Sequence, residues 1–234
     1  MRRSSCGHLL QAARVSRRDF LPVVALVALV GCASGPLEPE HLPGQELEPG
    51  SGLLVGSFAR DPSEHEYYSQ RFYYESKTTR ERFEIHSQWG FDIFGGQAKD
   101  DFKVGDSHGI VFAHELPGGA YHYTNFSIYD AGGGFYQQYW RSKEPYSIPF
   151  EIVPGKVNYA GEIRLVPRVG KNIFGITIPA GGTWEIRDRR ARDIELLRAR
   201  FPDLNWDSVH IVVPDRKDIP TPLVLLPSEL DAVE

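Results

Sequence analysis

Residues 147–166 read SIPFEIVPGKVNYAGEIRLV and form the clearest structural pattern in the chain. Apolar segments at Ser147–Val153 and Val157–Val166 flank a turn that contains proline and glycine, which predicts a β-hairpin. The apolar residues of the second segment are Val157, Tyr159, Ile163 and Leu165, and the polar ones are Lys156, Asn158, Glu162 and Arg164. This alternation predicts a half-buried antiparallel strand with a single apolar face. Gly161 interrupts that face, which predicts a β-bulge or a close packing partner.

A second hairpin is predicted upstream, where Ile110–Ala113 leads through Leu116–Gly119 into Tyr121–Tyr129. Further short strands are predicted at Leu53–Phe58, Tyr67–Glu75, Glu81–Trp89, Phe91–Phe94, Phe102–Val104, Ile173–Ile178, Thr183–Ile186 and Ser208–Val213. Strands of this length, separated by glycine, proline and asparagine, are typical of an all-β sandwich or barrel.

One helix is predicted over residues 189–201. Asp188 can cap its start, Pro202 ends it, and Ala191, Ile194, Leu197 and Phe201 form an apolar stripe at helical spacing. The predicted fold class is therefore mainly β, an antiparallel β-sandwich with one C-terminal α-helix.

The composition predicts a globular domain without disulfides. The chain has 234 residues, of which 41% are hydrophobic, so it can bury a sizeable core. The first 31 residues hold five arginines and one acid, which leaves 21 Lys and Arg (26 minus 5) against 30 Asp and Glu (31 minus 1) in the remainder. Such an acidic domain is a poor candidate for binding nucleic acid. Cys6 and Cys32 are the two cysteines, and both precede the predicted domain.

The N-terminal segment resembles the signal peptide of a bacterial lipoprotein. A basic stretch precedes the apolar segment Leu21–Gly31, which is too short to cross a bilayer of about 30 Å as a helix. The segment ends in Leu29, Val30, Gly31 and Cys32, which resemble a lipobox. This resemblance implies cleavage before Cys32 and attachment of diacylglycerol and an N-acyl chain to that cysteine. These lipids are the only non-protein groups that we expect, and the lipid bilayer is then a partner through the acyl chains.

The export route and location follow from the same segment. Arg17, Arg18, Phe20 and Leu21 match the twin-arginine signal S-R-R-x-F-L, which directs folded proteins to a translocase. Residue 33 is alanine and not aspartate, which by resemblance to Gram-negative lipoproteins favours the periplasmic face of the outer membrane. The predicted organisation is a signal peptide (1–31), a Pro- and Glu-rich solvated tether (32–50), a β-sandwich domain (51–213) and an extended Pro-rich tail (214–234).

Two sequence elements resemble a family of bacterial envelope lipoproteins. Leu116, Pro117, Gly119 and Tyr121 match its L-P-x-G-x-Y element, and Phe150–Ile163 matches its F-x-x-x-P-G-K-V-x-Y-x-G-x-I element. The resemblance covers about residues 104–165. It implies a transthyretin-like, carboxypeptidase-regulatory-like β-sandwich, and it supplies no catalytic residues.

Aromatic residues are the main candidates for ligand binding. The candidates are Tyr67, Tyr68, Tyr73, Tyr136, Tyr139 and Trp140. Exposed rings on a sheet can stack on sugars or anchor a protein, although strand aromatics more commonly pack on each other. An exposed continuous patch of these rings would favour binding.

Two other groups of residues are candidates, one for a metal site and one for a surface that binds anionic groups. His114, Glu115 and His122 flank a predicted Pro-Gly-Gly turn, and Glu115 and His122 should be cross-strand partners while His114 faces away. Only two ligands then converge, fewer than a zinc site needs, so ordinary polar pairing is favoured. Six arginines near the helix could meet lipid headgroups or phosphorylated glycans, or form a solvated helix face: Arg187, Arg189, Arg190, Arg192, Arg198 and Arg200.

The sequence thus favours a membrane-anchored envelope lipoprotein that acts as a non-catalytic binding or assembly module, with an envelope protein or glycan as partner. The alternative is a hydrolase or metal-dependent enzyme acting on an envelope polymer. We expect no enzyme activity and no metal.

Overall fold

The fold consists of two β-sheets and one α-helix, and the prediction of a mainly β protein is confirmed. The computed structural model describes residues 36–89, 99–131, 137–142 and 144–220. The predicted strand Phe91–Phe94 lies outside these residues. The elements are β1 (Ser51–Arg60), β2 (Ser69–Ser76), β3 (Arg82–Gln88), β4 (Phe102–Val104), β5 (Ser107–Pro117), β6 (Gly119–Asp130), β7 (Gln138–Arg141), β8 (Ile148–Ile152), β9 (Val157–Lys171), β10 (Thr177–Arg187), α1 (Arg190–Arg200) and β11 (His210–Ile211).

The strands divide between two sheets. Sheet I has the order β10-β9-β1-β5-β4, with β11 beside β9, and sheet II has the order β3-β2-β6-β7, with β8 beside β6. Strand β9 runs parallel to both β1 and β11, while the other described pairs are antiparallel. The prediction of a purely antiparallel sandwich is therefore wrong for sheet I. Alternation along β9 could not reveal this, because it reports which face is buried and not the direction of the neighbouring strand.

Aromatic side chains fill the space between the sheets. Trp184 on β10 is fully buried, and its ring centroid lies 5.4 Å from that of Phe58 on β1 and 5.1 Å from that of Phe72 on β2. Ring pairs at such distances contribute about 0.5–1.5 kcal/mol each beyond the area they bury. The indole therefore joins sheet I to sheet II.

The helix covers the other face of sheet I. Leu53 and Val55 of β1 pack in a second core cluster with Leu197 of α1 and with Trp206, so β1 is buried on both faces. The structure agrees with the predicted helix and with most of its apolar stripe. It also agrees with the predicted role of Asp188 at the helix start, since the Arg190 N–H donates to Asp188 Oδ1 at 3.1 Å. Ala191 is exposed, however, and the buried position in the first turns is Asp193.

Both predicted hairpins are connections between the two sheets. Strand β5 belongs to sheet I and β6 to sheet II, while β8 belongs to sheet II and β9 to sheet I. The two connections pack against each other, since a Cβ on Gly118 would lie 2.3 Å from Cγ of Pro154. The hairpin prediction was wrong because a Pro-Gly turn reverses the chain without specifying that the two strands share hydrogen bonds.

The predicted bulge at Gly161 is present and changes the face that β9 presents. Gly161 has φ +92°, and the β1–β9 register shifts between Val55 and Ser57. Before the bulge Val157 and Tyr159 pack toward α1, and after it Ile163 and Leu165 pack between the sheets. The prediction that these four residues share one face is wrong, because one extra residue in a strand exchanges its two faces.

The polar positions of β9 are also buried. Glu162 is fully buried and Arg164 is 1% exposed. The prediction of a half-buried strand is therefore wrong at these positions, and a buried charge layer lies on the face of sheet I that carries α1.

Residues 36–50 do not form the predicted solvated tether. The Leu37 N–H donates to the Arg82 carbonyl at 2.9 Å, and the His41 N–H donates to the Ala113 carbonyl at 2.8 Å. His41 is 1% exposed. The segment thereby covers the edges of β3 and β5, which would otherwise leave backbone groups unpaired. Its high proline and glutamate content gave no sign of this role. Residues 32–35 lie outside the described part of the chain.

The C-terminal region agrees with the sequence prediction only in part. The predicted strand Ser208–Val213 is shortened to β11, and Arg216–Asp218 forms a 3₁₀ turn. Ile219 is 5% exposed and joins the core between the sheets, while residues 221–234 lie outside the described part. None of the helices in the described residues combines the length and apolar character needed to span a membrane.

Candidate binding groove

The predicted aromatic candidates fall on different faces of the molecule. Tyr67 is 3% exposed and contacts Trp140, with ring centroids 5.3 Å apart. Tyr139 precedes Trp140 on β7 and points to the opposite face. There it is 46% exposed, and its ring is tilted against that of Tyr129. Neighbouring strand residues alternate in this way because the side-chain period is two. Tyr136 lies outside the described residues.

Tyr68 and Tyr73 belong to the outer face of sheet II. The Tyr68 ring contacts Tyr129 edge-on at 5.7 Å, and the Tyr73 hydroxyl is 3.0 Å from Oγ of Ser127. These rings are half-buried, so they pack against the strands below them.

A groove of about 550 Å³ opens beside Trp140. We call it the Trp140 groove. Its walls come from β6 and β7, from the segment that joins β7 to β8, and from the β9–β10 hairpin. The lining residues are Phe126, Trp140, Arg141, Ser142, Glu144, Pro145, Tyr146, Arg168, Ala180, Gly181, Gly182, Thr183 and Pro220. This volume is within the range of small-molecule sites in proteins, which is about 300–1,000 Å³.

Gly181 positions the indole ring. It has φ +81°, and a Cβ at this position would lie 3.0 Å from Cδ1 of Trp140. The indole therefore rests directly on the backbone of β10. The Tyr67 hydroxyl donates a hydrogen bond to the Gly181 carbonyl at 2.5 Å, which fixes this backbone from the core side. A glycine is required here for both its conformation and its lack of a side chain.

Arg168 gives the groove positive charge, whereas the Arg141 guanidinium lies on the opposite face of β7. Arg141 is exposed and lies over the Tyr139 ring at 4.6 Å, while Arg168 is half-buried. Among the residues that the structure describes, neither guanidinium forms a salt bridge. Glu144 is an exposed carboxylate on the same rim. Among the lining residues that the structure describes, Arg168 is a cationic donor and Glu144 an anionic acceptor beside an aromatic surface.

Buried hydroxyl groups lie beneath and beside the groove walls, and those of the tyrosines are neutral. Burial raises the pKa of Tyr67 and of Tyr146, so both hydroxyls stay protonated at neutral pH. Within the described part of the chain, the hydroxyls of Tyr146 and Thr183 have no hydrogen-bond partner. Sequence reasoning identified Trp140 but missed Arg168, Gly181 and Thr183. No pattern in the sequence places the β9–β10 hairpin beside β7.

The three metal candidates are not brought together. His114 is 6% exposed and its Nδ1 is 2.8 Å from the Tyr74 hydroxyl. Glu115 Oε2 is 3.1 Å from Nδ1 of His41, and His122 Nδ1 is 2.7 Å from Oγ of Ser147. The predicted pairing of Glu115 with His122 is wrong because β5 and β6 belong to different sheets.

A different set, Glu38, Glu84 and His86, has ligand atoms within 4.8 Å of one another. Each member already has a protein partner. Arg71 Nε donates to Glu84 at 3.2 Å, His86 Nε2 is 3.1 Å from Oγ of Ser69, and His86 Nδ1 is 3.5 Å from Glu38. The hydrogen bond with His86 lowers the pKa of Glu38. These contacts account for the set as an ion-pair cluster.

The arginines near α1 are mostly committed to acidic partners. Arg192 Nη2 donates to Glu162 Oε1 at 2.9 Å and to Asp193 Oδ1 at 2.6 Å, and Arg187 pairs with Glu185. Arg190 pairs with Asp188 on the surface, and Arg200 Nη1 is 3.3 Å from Asp101. This arrangement fits internal charge pairing better than a surface for headgroups.

The buried charges form hydrogen-bonded groups on the face of sheet I that carries α1. Ser57 and Tyr159 each donate a hydroxyl hydrogen bond to Asp193 Oδ2, at 2.9 and 2.8 Å. Burial raises the pKa of Asp193, and the Arg192 charge opposes that rise. Arg164 Nη1 donates to Glu185 at 2.9 Å. Alternation in β9 predicted Glu162 and Arg164 on a polar face, but alternation does not distinguish a face exposed to water from one covered by a helix.

The predicted export and lipidation residues lie outside the described part of the chain. They are Arg17, Arg18, Phe20, Leu21, Leu29, Val30, Gly31 and Cys32.

Comparison with known proteins adds no family assignment. Neither protein-family models nor curated proteins gave a match. Among solved structures, a leucine-rich repeat protein from Bacteroides thetaiotaomicron is similar with a TM-score of 0.29 and 10% identity. The similarity covers 79% of this chain and 29% of that one. A similarity this weak carries no argument about fold or function.

Proposed function

We propose that this chain is an exported, acylated lipoprotein of the cell envelope, and that it acts as a non-catalytic module that binds an acidic saccharide in the Trp140 groove. The observation that carries the proposal is the pairing of an indole surface with Arg168, which lacks a salt bridge in the described structure. The acidic composition argues against nucleic acid as the ligand.

The anchoring part of the proposal is supported by the sequence. The twin-arginine match at Arg17 and Arg18 precedes an apolar segment that ends in the lipobox and Cys32. Two or more acyl chains on that sulfur would hold the protein stably at a bilayer, and Ala33 favours the periplasmic face of the outer membrane. Mass spectrometry of the native protein should find an acylated Cys32 at the N-terminus, and Cys32→Ser should release the protein from the membrane fraction. An unmodified thiol or a retained signal peptide would contradict this.

The proposed family is that of the transthyretin-like envelope lipoproteins. The support is the pair of sequence elements over residues 104–165, which fall on β5, β6, β8 and β9. A solved member of that family should have two sheets in the strand order described above, and a different order would contradict the assignment.

The ligand class follows from the chemistry of the groove walls. An indole face binds the apolar face of a sugar ring, and arginine donates paired hydrogen bonds to carboxylate or phosphate. A peptide segment would bring fewer hydroxyl groups and no fixed anionic group, so we favour a saccharide that carries a carboxylate or a phosphate.

The test is calorimetric binding of acidic oligosaccharides, among them muropeptides and phosphorylated disaccharides, with neutral oligosaccharides of equal length as controls. Trp140→Ala should weaken binding about tenfold, which corresponds to about 1.4 kcal/mol. Trp140→Phe keeps a ring and should lose less. Tyr139→Ala is the matched control, since Tyr139 is the neighbouring residue on the opposite face of β7.

The arginines are tested separately. Arg168→Gln should remove the preference for acidic over neutral sugars, whereas Arg141→Gln, on the opposite face of β7, and Arg190→Gln, at an exposed arginine outside the groove, should not. Failure of any acidic oligosaccharide to bind, or equal losses in the groove and control variants, would contradict the proposed ligand class.

A further inference from the structure

The turn between β9 and β10 exposes a group of large apolar side chains. Ile173 is 93% exposed, Phe174 is 78% exposed and Ile176 is 59% exposed. Strand β9 pairs with β1 only as far as Leu165, so residues 166–171 carry this turn about 20 Å beyond that pairing. We call residues 172–176 the hairpin tip. An isolated exposed residue needs no explanation, but three neighbouring ones on a projecting turn do.

Four of the tip's five backbone N–H groups, those of residues 172, 174, 175 and 176, are paired within the tip itself. Asn172 Oδ1 accepts the N–H groups of Phe174 at 2.9 Å and Ile176 at 3.0 Å. The Gly175 N–H donates to the Asn172 carbonyl at 2.9 Å, and the Asn172 N–H donates to the Ile176 carbonyl at 3.0 Å. Backbone donors that are paired internally can enter an apolar medium without the cost of several kcal/mol that each unpaired group would incur.

The charge of the surrounding hairpin fits an anionic surface. Residues 166–184 contain no acid, although the chain has 31 acidic residues, and they include Arg168 and Lys171. Lys171 is exposed and forms no salt bridge with a residue that the structure describes. Basic residues near an anionic bilayer contribute about 1 kcal/mol each to binding.

We propose that the hairpin tip inserts into the surface of an anionic lipid bilayer, with Ile173, Phe174 and Ile176 among the headgroups and upper acyl chains and Lys171 at the phosphates. This is a second membrane contact, made by the folded domain and independent of the acyl chains on Cys32 and of the groove. A second copy of this chain is a poorer occupant, because both partners would bring basic hairpins together.

The test places a polarity-sensitive fluorophore, nitrobenzoxadiazole, on single cysteines of the full chain in which Cys6 and Cys32 are replaced by serine. Phe174→Cys reports on the tip, and Ala199→Cys, on the exposed part of α1, is the matched control. The vesicles are phosphatidylglycerol with phosphatidylethanolamine, and phosphatidylcholine serves as the neutral comparison. Spin-labelled lipids measure contact with the bilayer.

The expected result is a blue shift and lipid quenching at position 174 with anionic vesicles, and no change at position 199. With the label moved to Ile176→Cys, Phe174→Ser should reduce the partition of the tip about tenfold, since a fully buried Phe contributes about 1.5–3 kcal/mol. Lys171→Gln should reduce it about fivefold at low salt and little at high salt.

Other outcomes would overturn the proposal. A label at position 174 that remains exposed to water in the presence of anionic vesicles would overturn it. A blue shift that grows with protein concentration in the absence of vesicles would instead identify a second copy as the occupant. Circular dichroism of each variant should match the parent chain, because the substituted side chains are exposed.

Discussion

His114 should make the protein less stable as the pH falls. Burial lowers the pKa of His114 from 6.5 to about 4, although the Glu38 carboxylate nearby favours the charged form. Below pH 6.5 the unfolded chain takes up a proton at this imidazole while the folded protein does not. The stability that neutral His114 provides is therefore present above pH 6.5 and is lost as the pH falls toward 4.

The size of this effect follows from the difference between the two pKa values. It amounts to about 3 kcal/mol in total, and about 2 kcal/mol should already be lost at about pH 5. This is a large share of the 5–15 kcal/mol that typically stabilises a domain. A sharp acid transition is therefore expected.

Urea unfolding followed by tryptophan fluorescence at several pH values measures the effect, because Trp184 is buried in the core. The variant His114→Gln retains a polar side chain for the Tyr74 hydroxyl but cannot titrate. Between about pH 7 and about pH 5 the parent chain should lose about 2 kcal/mol more than this variant. The control His210→Gln, at an exposed histidine on β11, should keep the parent's slope. Parallel slopes for the parent and His114→Gln would refute the reasoning.

Three further substitutions test the core and the groove. Arg164→Ala should lower the free energy of unfolding by about 1–3 kcal/mol in urea titrations, because Glu185 loses its 2.9 Å partner and keeps only Arg187. A loss well below about 1 kcal/mol would show that water and Arg187 replace the pair. Gly161→Ala should cost about 2 kcal/mol or more, since the new Cβ would lie 2.7 Å from the Arg187 carbonyl at a φ of +92°; an unchanged melting temperature would contradict the bulge. Gly181→Ala should cost about 1–2 kcal/mol and shift the Trp140 emission, and an unchanged spectrum would argue against contact between the indole and this backbone.

The sequence predicted the local elements well because their signals are local. The existence of β9 as a strand, the bulge at Gly161 and the helix ended by Pro202 each depend on a few neighbouring residues. Which strands share a sheet depends on distant pairing, and Pro154-Gly155 fits a crossing between sheets as well as a hairpin. The burial of Arg164 could not be read from the sequence either, because its acidic partners Asp61, Asp106 and Glu185 are spread along the chain.

The groove was predictable only in its aromatic component. Trp140 was singled out as an aromatic on a short strand, but Arg168 and Gly181 come from a hairpin that is distant in sequence and adjacent in space. The sequence of the hairpin tip led to a wrong prediction of secondary structure. Residues 173–178 were predicted as a strand, yet their first part is an exposed turn.

The contacts of residues 36–50 change how an anchored protein would lie on its membrane. A free tether of 19 residues would let the domain stand away from the bilayer, but the chain is already bound to the fold at Leu37. Cys32 and Leu37 are five residues apart, so they are separated by at most about 17 Å. An acylated Cys32 would therefore hold the domain close to the lipid surface.

The position of the hairpin tip then restricts the orientation. Glu40 forms an isolated β-bridge with His114, and His114 is paired with Leu54 of β1. About 12 strand residues separate this position from Lys171 along β9. This distance is about 40 Å along the strands. Both membrane contacts fit one bilayer only if the strands lie along its surface, whereas an upright domain would direct the tip toward a second membrane. In the acylated protein, quenching at position 174 by lipids of the anchoring vesicle would support the first arrangement. Aggregation of added vesicles that depends on Phe174 would support the second.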